Sequence, residues 1–304
     1  MRRPTGYIVD LIVLCARAAM SGSNPVTPPI ALTIAGFDPT GGAGIAADLK
    51  TFAANHCYGV AAITALTVQN SQATRSYQPV APELLAEQLA CLLADVNPAA
   101  VKLGMLANAG IVAVTAAALR SRPAPIVLDP VLHATSGAEL LDMAGREAMM
   151  RELLPLAAVI TPNLAEAALL TGRSVESEAQ MADAARALHD LGAQAVVVTG
   201  GHLDRPLDLL WADGKATMLG GDRIRTPHTH GTGCTFSAAL AANLAHGKAL
   251  SDAVVQAKAY VCAALRSAYP IGGGIGPLNH LFRLQEPLRP RNIDPAPIPE
   301  YTTR

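Results

Sequence analysis

The sequence predicts an α/β protein with a mostly parallel sheet covered by helices on both faces. Two observations carry this. Short apolar runs alternate with helix-like stretches from about residue 30 to residue 268, the pattern of strand–helix–strand units. The apolar runs also end on glycines or polar groups, as strands do when their carboxyl ends form a binding edge. No internal repeat or low-complexity linker interrupts the middle of the chain, so one domain is expected over residues 29–285.

Taken in order, "IALTIAG" is a short strand ending in glycine, and 44–55 reads as a helix. "GVAAITALTVQN" is strand-like. The stretch 82–95 places apolar residues at three- and four-residue steps, the period of an amphipathic helix. "AAVKLGML" is a strand, 108–120 a helix, and "APIVLDPVL" a buried strand ending at Asp129-Pro130. Then come a helix at 144–154, the strand "AAVITPN", and helices at 164–170 and 179–191. "AQAVVVTGGH" is a strand, and "LDLLWADGKATMLGG" is a hairpin with its turn at "DGK". Helices at 235–246 and 251–268 close the pattern. The strand ends to watch are Gly36–Asp38, Gln69–Asn70, Gly104–Met105, Asp129–Pro130, Thr161–Asn163 and Thr199–His202.

The bulk composition narrows the function. The 304 residues are 51% hydrophobic and 15% charged, which suits a large packed core rather than a disordered chain. The formal net charge is −1 and no basic block occurs, which argues against a nucleic-acid partner. Five cysteines, an odd number with no CxxC spacing, argue against a disulfide framework or structural zinc and fit a reducing cytoplasm. "MRRPTGYIVDLIVLCARAAM" resembles a poor signal peptide, but Asp10 interrupts its apolar part, Arg17 closes it, and it is too short to span a bilayer. No membrane partner is expected. Residues 1–28 are expected to lie outside the fold, as an upstream extension with Met20 a second possible initiator. The last stretch, 286–304, with its run of prolines, reads as irregular.

Four groupings carry chemistry. "HTHGTGCTFSAALAANLAHG" sets Gly231 and Gly233 directly before an alanine-rich helix that stops at Gly247. Backbone N–H groups and the positive end of the helix dipole there make an anion site, phosphate being the usual anion. Cys234 lies at the same point, where a thiol's pKa is expected to fall. The alternative is a plain glycine turn with a small core cysteine. "AGFDPTGGAGIAADLKTF" is neither a Walker A loop nor GxGxxG. Its glycines permit tight turns, and its helix carries Asp48, either an acceptor for a small substrate's amine or hydroxyl or a carboxylate on a solvated face. "VLDPV", with Asp129, and "ITPNLAEA", with Asn163 and Glu166, supply hard oxygen ligands of the kind Mg²⁺ prefers. Alternatively, Asn163 and Glu166 form a capping box. "VVVTGGH" and "HTHGTGC" are two glycine turns able to hold a nucleotide, with His202 either part of that site or a simple loop histidine.

Together these segments resemble the hydroxymethylpyrimidine kinase/phosphomethylpyrimidine kinase family of thiamine biosynthesis, within the ribokinase-like superfamily. The resemblance runs in order through "LTIAGFDPTGGAGIAADLKTF", "ITALTVQN", "KLGML", "VLDPVL", "TSGAELL", "LLPLAAVITPNLAEAALLTG", "GGH", "HGTGCTFSAALAA" and "GIGPLNH". It implies a three-layer α/β/α fold and two ATP-dependent phosphorylations, first of the hydroxymethyl group of 4-amino-5-hydroxymethyl-2-methylpyrimidine and then of the monophosphate. By position it implies that Asp48 and Gln69 hydrogen-bond the aminopyrimidine, with Gly36, Thr67 and Met105 lining the pocket. Gly231, Thr232 and Gly233 would form the anion hole, and Cys234 would stand where sugar-kinase relatives carry a catalytic aspartate. Asp129, Asn163 and Glu166 would organise Mg²⁺ and the ATP phosphates, Asp129 and Glu166 as the metal ligands, with Thr199 and Gly201 on the nucleotide. A homodimer is implied by the family alone. The chain departs from the family in carrying Thr199 where many members have lysine, Thr135 where some do, and Phe37 where threonine or serine is common. A pyridoxal kinase with pyrimidine side activity and a non-catalytic pyrimidine-binding protein are the competing readings.

Overall fold

The computed structural model describes residues 27–134, 137–201 and 206–284. The expected N-terminal extension up to residue 26, the proline-rich tail, Thr135 and His202 lie outside the described residues.

Among the described residues nine strands form one sheet: β1 (Ile30–Phe37), β2 (Tyr58–Gln69), β3 (Thr74–Pro79), β4 (Ala100–Leu103), β5 (Ile126–Leu128), β6 (Val159–Ile160), β7 (Val196–Gly200), β8 (Leu207–Ala212) and β9 (Lys215–Gly220). Their spatial order is β3-β2-β1-β4-β5-β6-β7-β8-β9. The six strands from β2 to β7 in that order pair in parallel, and antiparallel β3 and the β8–β9 hairpin flank them. Among the described residues eight α-helices accompany them: α1 (Gly44–Ala54), α2 (Pro82–Asp95), α3 (Ala109–Leu119), α4 (Met143–Glu152), α5 (Leu164–Thr171), α6 (Glu178–Asp190), α7 (Thr232–Ala245) and α8 (Leu250–Arg266).

The period-two alternation of the strands separates two cores. Leu32, Val101, Leu103, Ile126, Leu128 and Val198 face one way, onto α2 to α6. Ala31, Val127, Val159 and Val197 face the other way, onto α1, α7 and α8, where Phe52, Leu240 and Tyr260 complete the packing. This is the three-layer α/β/α arrangement expected. Local chemistry sets the helix ends. Pro82 opens α2, where a missing N–H costs nothing. The Asn108 side chain accepts the Ile111 N–H to cap α3, and Ser177 caps α6 on the Gln180 N–H. The hairpin turns at Asp213-Gly214, both at positive φ, as a two-residue hairpin turn requires.

Two elements differ from expectation. β3, an edge strand of polar composition, was not legible as a strand. α7 begins at Thr232, three residues earlier than its apolar pattern indicates, because Gly231 in the left-handed region (φ 82°) serves as N-cap. Cys234 is therefore inside the first turn of the helix.

Candidate active site

Parallel pairing places the carboxyl ends of β1, β2, β4, β5, β6 and β7 along one edge, and the N-terminus of α7 arrives at the same edge. There the two glycine loops interlock. A Cβ on Gly231 would overlap the Gly42 carbonyl oxygen and stand 2.8 Å from the Gly42 carbonyl carbon. One on Gly42 would overlap the His230 ring and stand 3.2 Å from Pro277 Cβ. Asp38 ties the loops together. Its carboxylate accepts from the Thr40 N–H (2.8 Å), the Thr40 hydroxyl (2.8 Å) and the Ala43 N–H (2.9 Å), and it meets His230 Nε2 at 2.8 Å. Burial acts to raise the Asp38 carboxyl, but the His230 and Thr40 hydrogen bonds outweigh it and hold the group below its usual value.

The N-terminus of α7 has no side-chain cap. The Thr232 N–H goes to the Thr229 carbonyl and the Thr235 N–H to the Gly231 carbonyl. Between them, the Gly233 and Cys234 N–H groups belong to the first turn, where no intrahelical acceptor exists. Nothing lies within 4 Å of where a Gly233 Cβ would stand. An anion can therefore approach two backbone donors at the positive end of a helix.

Beneath this seat lies a charge cluster. Lys102 is fully buried on the strand face that otherwise carries Val127, Val159 and Val197. Its Nζ contacts both Asp48 oxygens, at 3.0 and 2.9 Å, and stands 4.0 Å from Asp129 Oδ2. Burial disfavours the ammonium, but Asp48, Cys234 and Asp129 overcome this, and the Lys102 pKa is raised. The Thr33 hydroxyl donates to Asp48 Oδ2 at 2.6 Å, and the Ser237 hydroxyl to Asp129 Oδ2 at 2.9 Å.

Two expectations are corrected here. Asp48 is not placed to receive a substrate amine: it is fully buried, with one oxygen held by Lys102 and the other by Lys102 and Thr33. It is the counter-ion of a buried lysine. The Cys234 thiol is not activated either. The residue keeps some exposed surface, but the protein packed around its thiol, together with the charges of Asp129 and Asp48, pushes the pKa up to about 12, against the pull of Lys102 and the Gly44 N–H. Helix position alone would lower it, but desolvation next to two carboxylates is stronger.

The other expected residues fall as follows. Gly36 and Met105 touch, with Met105 Sδ 2.9 Å from where a Gly36 Cβ would be. Met105 packs with Ala65 and Leu140, and Tyr77 leans on that cluster. The Thr67 hydroxyl donates to the Phe37 carbonyl at 3.0 Å. Gln69 contacts His230 and Thr74. Asn163 and Glu166 do form a capping box on α5: the Asn163 N–H reaches Glu166 Oε2 at 2.9 Å, and the Glu166 N–H reaches Asn163 Oδ1 at 2.9 Å. Burial, then the nearby Asp129 charge, push Glu166 up to about 8. Burial likewise raises Asp129 despite Lys102. Two buried carboxylates that resist ionising together are a donor set that a divalent cation would relieve, although no group of three or more His, Cys, Asp or Glu fit for a metal occurs among the described residues. Thr199 donates its N–H to the Pro162 carbonyl at 2.9 Å, beside Asn163. Gly201 follows it, exposed and open. Sequence reasoning missed Lys102, Thr33, Ser237 and the linking role of His230. A lysine inside the apolar run "AVKL" was the one available signal.

The phosphomethylpyrimidine kinase family profile matches residues 38–279. The chain is 47% identical over 259 residues to a hydroxymethylpyrimidine/phosphomethylpyrimidine kinase of Rhizobium meliloti, covering 84% of this chain and 97% of that one. A protein of the same name from Synechococcus elongatus is 45% identical, with 84% and 98% covered. Among solved structures, a Bacillus subtilis pyridoxal kinase in complex with ADP superposes with a TM-score of 0.78 at 37% identity, over 85% of this chain and 100% of that one. A phosphomethylpyrimidine kinase from Clostridium difficile gives 0.70 at 34% identity, over 78% and 99%. With its three-layer fold, its uncapped helix at the strand-end edge and these relatives, the chain belongs to the phosphomethylpyrimidine kinase family.

Proposed function

We propose that this protein phosphorylates the hydroxymethyl group of 4-amino-5-hydroxymethyl-2-methylpyrimidine with ATP, and then the monophosphate to the diphosphate. The observation that carries this reading is the open N-terminus of α7, at the same strand-end edge as Gln69, Met105 and the Asp129–Glu166 pair. Phosphoryl transfer needs positioning and charge neutralisation more than covalent chemistry from the protein. The Gly233 and Cys234 N–H groups receive the transferring phosphoryl oxygens, at a helix start shaped by Gly231 and Thr232. Cys234 remains a neutral thiol and positions the substrate hydroxyl rather than acting as a strong base.

Gly36, Thr67, Gln69 and Met105 hold the pyrimidine. Asn163, Thr199 and Gly201 flank the nucleotide. Mg²⁺, bound by Asp129 and Glu166 directly or through water, would neutralise the phosphate charge, since Mg²⁺ commonly takes one or two carboxylates and completes its shell with water and phosphates. Thr199 brings no charge of its own, so the neutralisation falls to the metal and to the helix end. We also propose one kinase domain over residues 29–285, a homodimer and a cytoplasmic location. The four described cysteines, all free, support a reducing compartment, and no helix among the described residues is long and apolar enough to cross a membrane.

A second reading, pyridoxal phosphorylation, is favoured by the pyridoxal kinase structures among the neighbours. A product assay separates the two. With Mg·ATP and either the pyrimidine or pyridoxal, mass spectrometry should find pyrimidine mono- and diphosphate and little pyridoxal phosphate. The reverse product ratio selects the second reading. Binding of the pyrimidine without any phosphorylation of either compound would refute the kinase.

A further inference from the structure

His230 Nε2 is shared by two partners: Asp38 Oδ2 at 2.8 Å and the Gln69 side-chain amide nitrogen at 3.3 Å. An imidazole nitrogen offers either one N–H or one lone pair, not both. Asp38 also accepts from Thr40 and Ala43, and its pKa is lowered, so it faces His230 as an acceptor-only carboxylate. Nε2 must therefore carry the proton. An amide NH₂ turned toward that N–H would set donor against donor. A half-turn of the Gln69 amide removes the conflict. Its oxygen then accepts the longer, 3.3 Å arm of a bifurcated His230 N–H whose 2.8 Å arm goes to Asp38, and its NH₂ meets Thr74 Oγ1, which stands 3.0 Å from the amide and can accept as well as donate. One amide N–H is left over.

We propose that His230 is a positioning residue for substrate recognition. By donating to Gln69 it fixes which face of that amide meets the ligand, so the pocket presents an N–H and selects a ring-nitrogen acceptor. The same ring packs on Gly42 and directly precedes Gly231. Recognition of the heterocycle and shaping of the anion seat thus pass through one side chain. This rests on the pyrimidine kinase reading for the identity of the ligand at Gln69.

The test is a cycle of variants assayed with the hydroxymethylpyrimidine at saturating Mg·ATP. His230→Leu and Gln69→Leu should each raise KM about tenfold (~1.4 kcal/mol), with a smaller effect on kcat. The double variant should be no worse than Gln69→Leu alone, because His230 acts through Gln69. His230→Gln, which keeps a donor at similar reach, should stay within about threefold of wild type. Thr74→Val, on the edge strand β3, should raise KM a few-fold and leave kcat unchanged. A multiplicative double variant, or a His230→Leu effect confined to kcat, overturns the inference. Should His230→Leu fail to fold, an unchanged KM for Thr74→Val overturns it equally. If the wild type does not turn the pyrimidine over, the kinase reading fails on its own, and the same cycle is scored in Kd for the pyrimidine.

Discussion

Gly231→Ala tests the interlocked glycine loops most directly. Gly231 sits at φ 82°, a conformation that costs an L-residue about 1–2 kcal/mol. Its new Cβ would overlap the Gly42 carbonyl, so one of the two loops must move, at the ~1–3 kcal/mol typical of overpacking. The sum is roughly 2–5 kcal/mol, which at about 2–4 °C per kcal/mol for a large domain lowers Tm by roughly 4–20 °C. The movement also displaces the first-turn N–H donors of α7, and losing aligned donors of this kind costs about 10²–10³ in kcat. Gly233→Ala is the comparison for stability. Its Cβ meets nothing within 4 Å and its φ is not positive, so Tm should hold or rise slightly. Thermal unfolding of both variants, with steady-state phosphorylation by Gly231→Ala, gives the answer. A Gly231→Ala protein with Tm within about 2 °C of wild type and kcat within about threefold would refute the close packing of loops 41–44 and 229–233 as the basis of the anion seat.

Three further outcomes are expected. Lys102→Met strands Asp48 and Asp129 in the interior, a loss of about 3–5 kcal/mol. Lys102→Met with Asp48→Leu should recover much of it in denaturant titrations, and a single variant costing less than about 1 kcal/mol would contradict the buried ion pair. Burial, then the charges of Lys50 and His230, lowers the His280 pKa from 6.5 to about 4. The unfolded chain therefore takes up that proton near pH 6.5 and the folded chain only near pH 4. His280 thus contributes stability above pH 6.5 that is lost as the pH falls toward 4, and a His280→Asn variant should show a flatter Tm profile across that window. Iodoacetamide at neutral pH should alkylate exposed Cys91 well before Cys234, whose thiol is held protonated; peptide mass mapping with Cys234 modified first would restore an activated thiolate.

Much of the fold could be read from neighbouring residues. Apolar runs such as "IVL" and "VVV" alternate with three- and four-residue periods, and that alternation predicts parallel strands, covering helices and a binding edge at the strand ends. The "DGK" turn and the Asn163–Glu166 cap follow from side chains acting within three residues of themselves. β3 was missed because "TRSYQP" has no apolar alternation; it is a strand because β2 offers it a ladder. Gly231 was legible as the turn into α7, where it takes positive φ as the N-cap, because the need for a tight turn before a helix is local.

What the chain by itself determined is its periodicity, its turns and the residue types at the strand ends, all set by interactions within a few residues. What only the tertiary structure decided is how those residues behave. Asp48 became a counter-ion because the parallel register puts Thr33 beside Lys102 and the Lys102 ammonium against α1. Cys234 became a neutral thiol because burial desolvates its thiolate, and the charges of Asp129 and Asp48, from elements distant in sequence, oppose it further. His230 reached Asp38 and Gln69 across more than 150 residues of chain. Protonation and hydrogen-bond partnership depend on which groups are buried together, and only the folded chain brings them together.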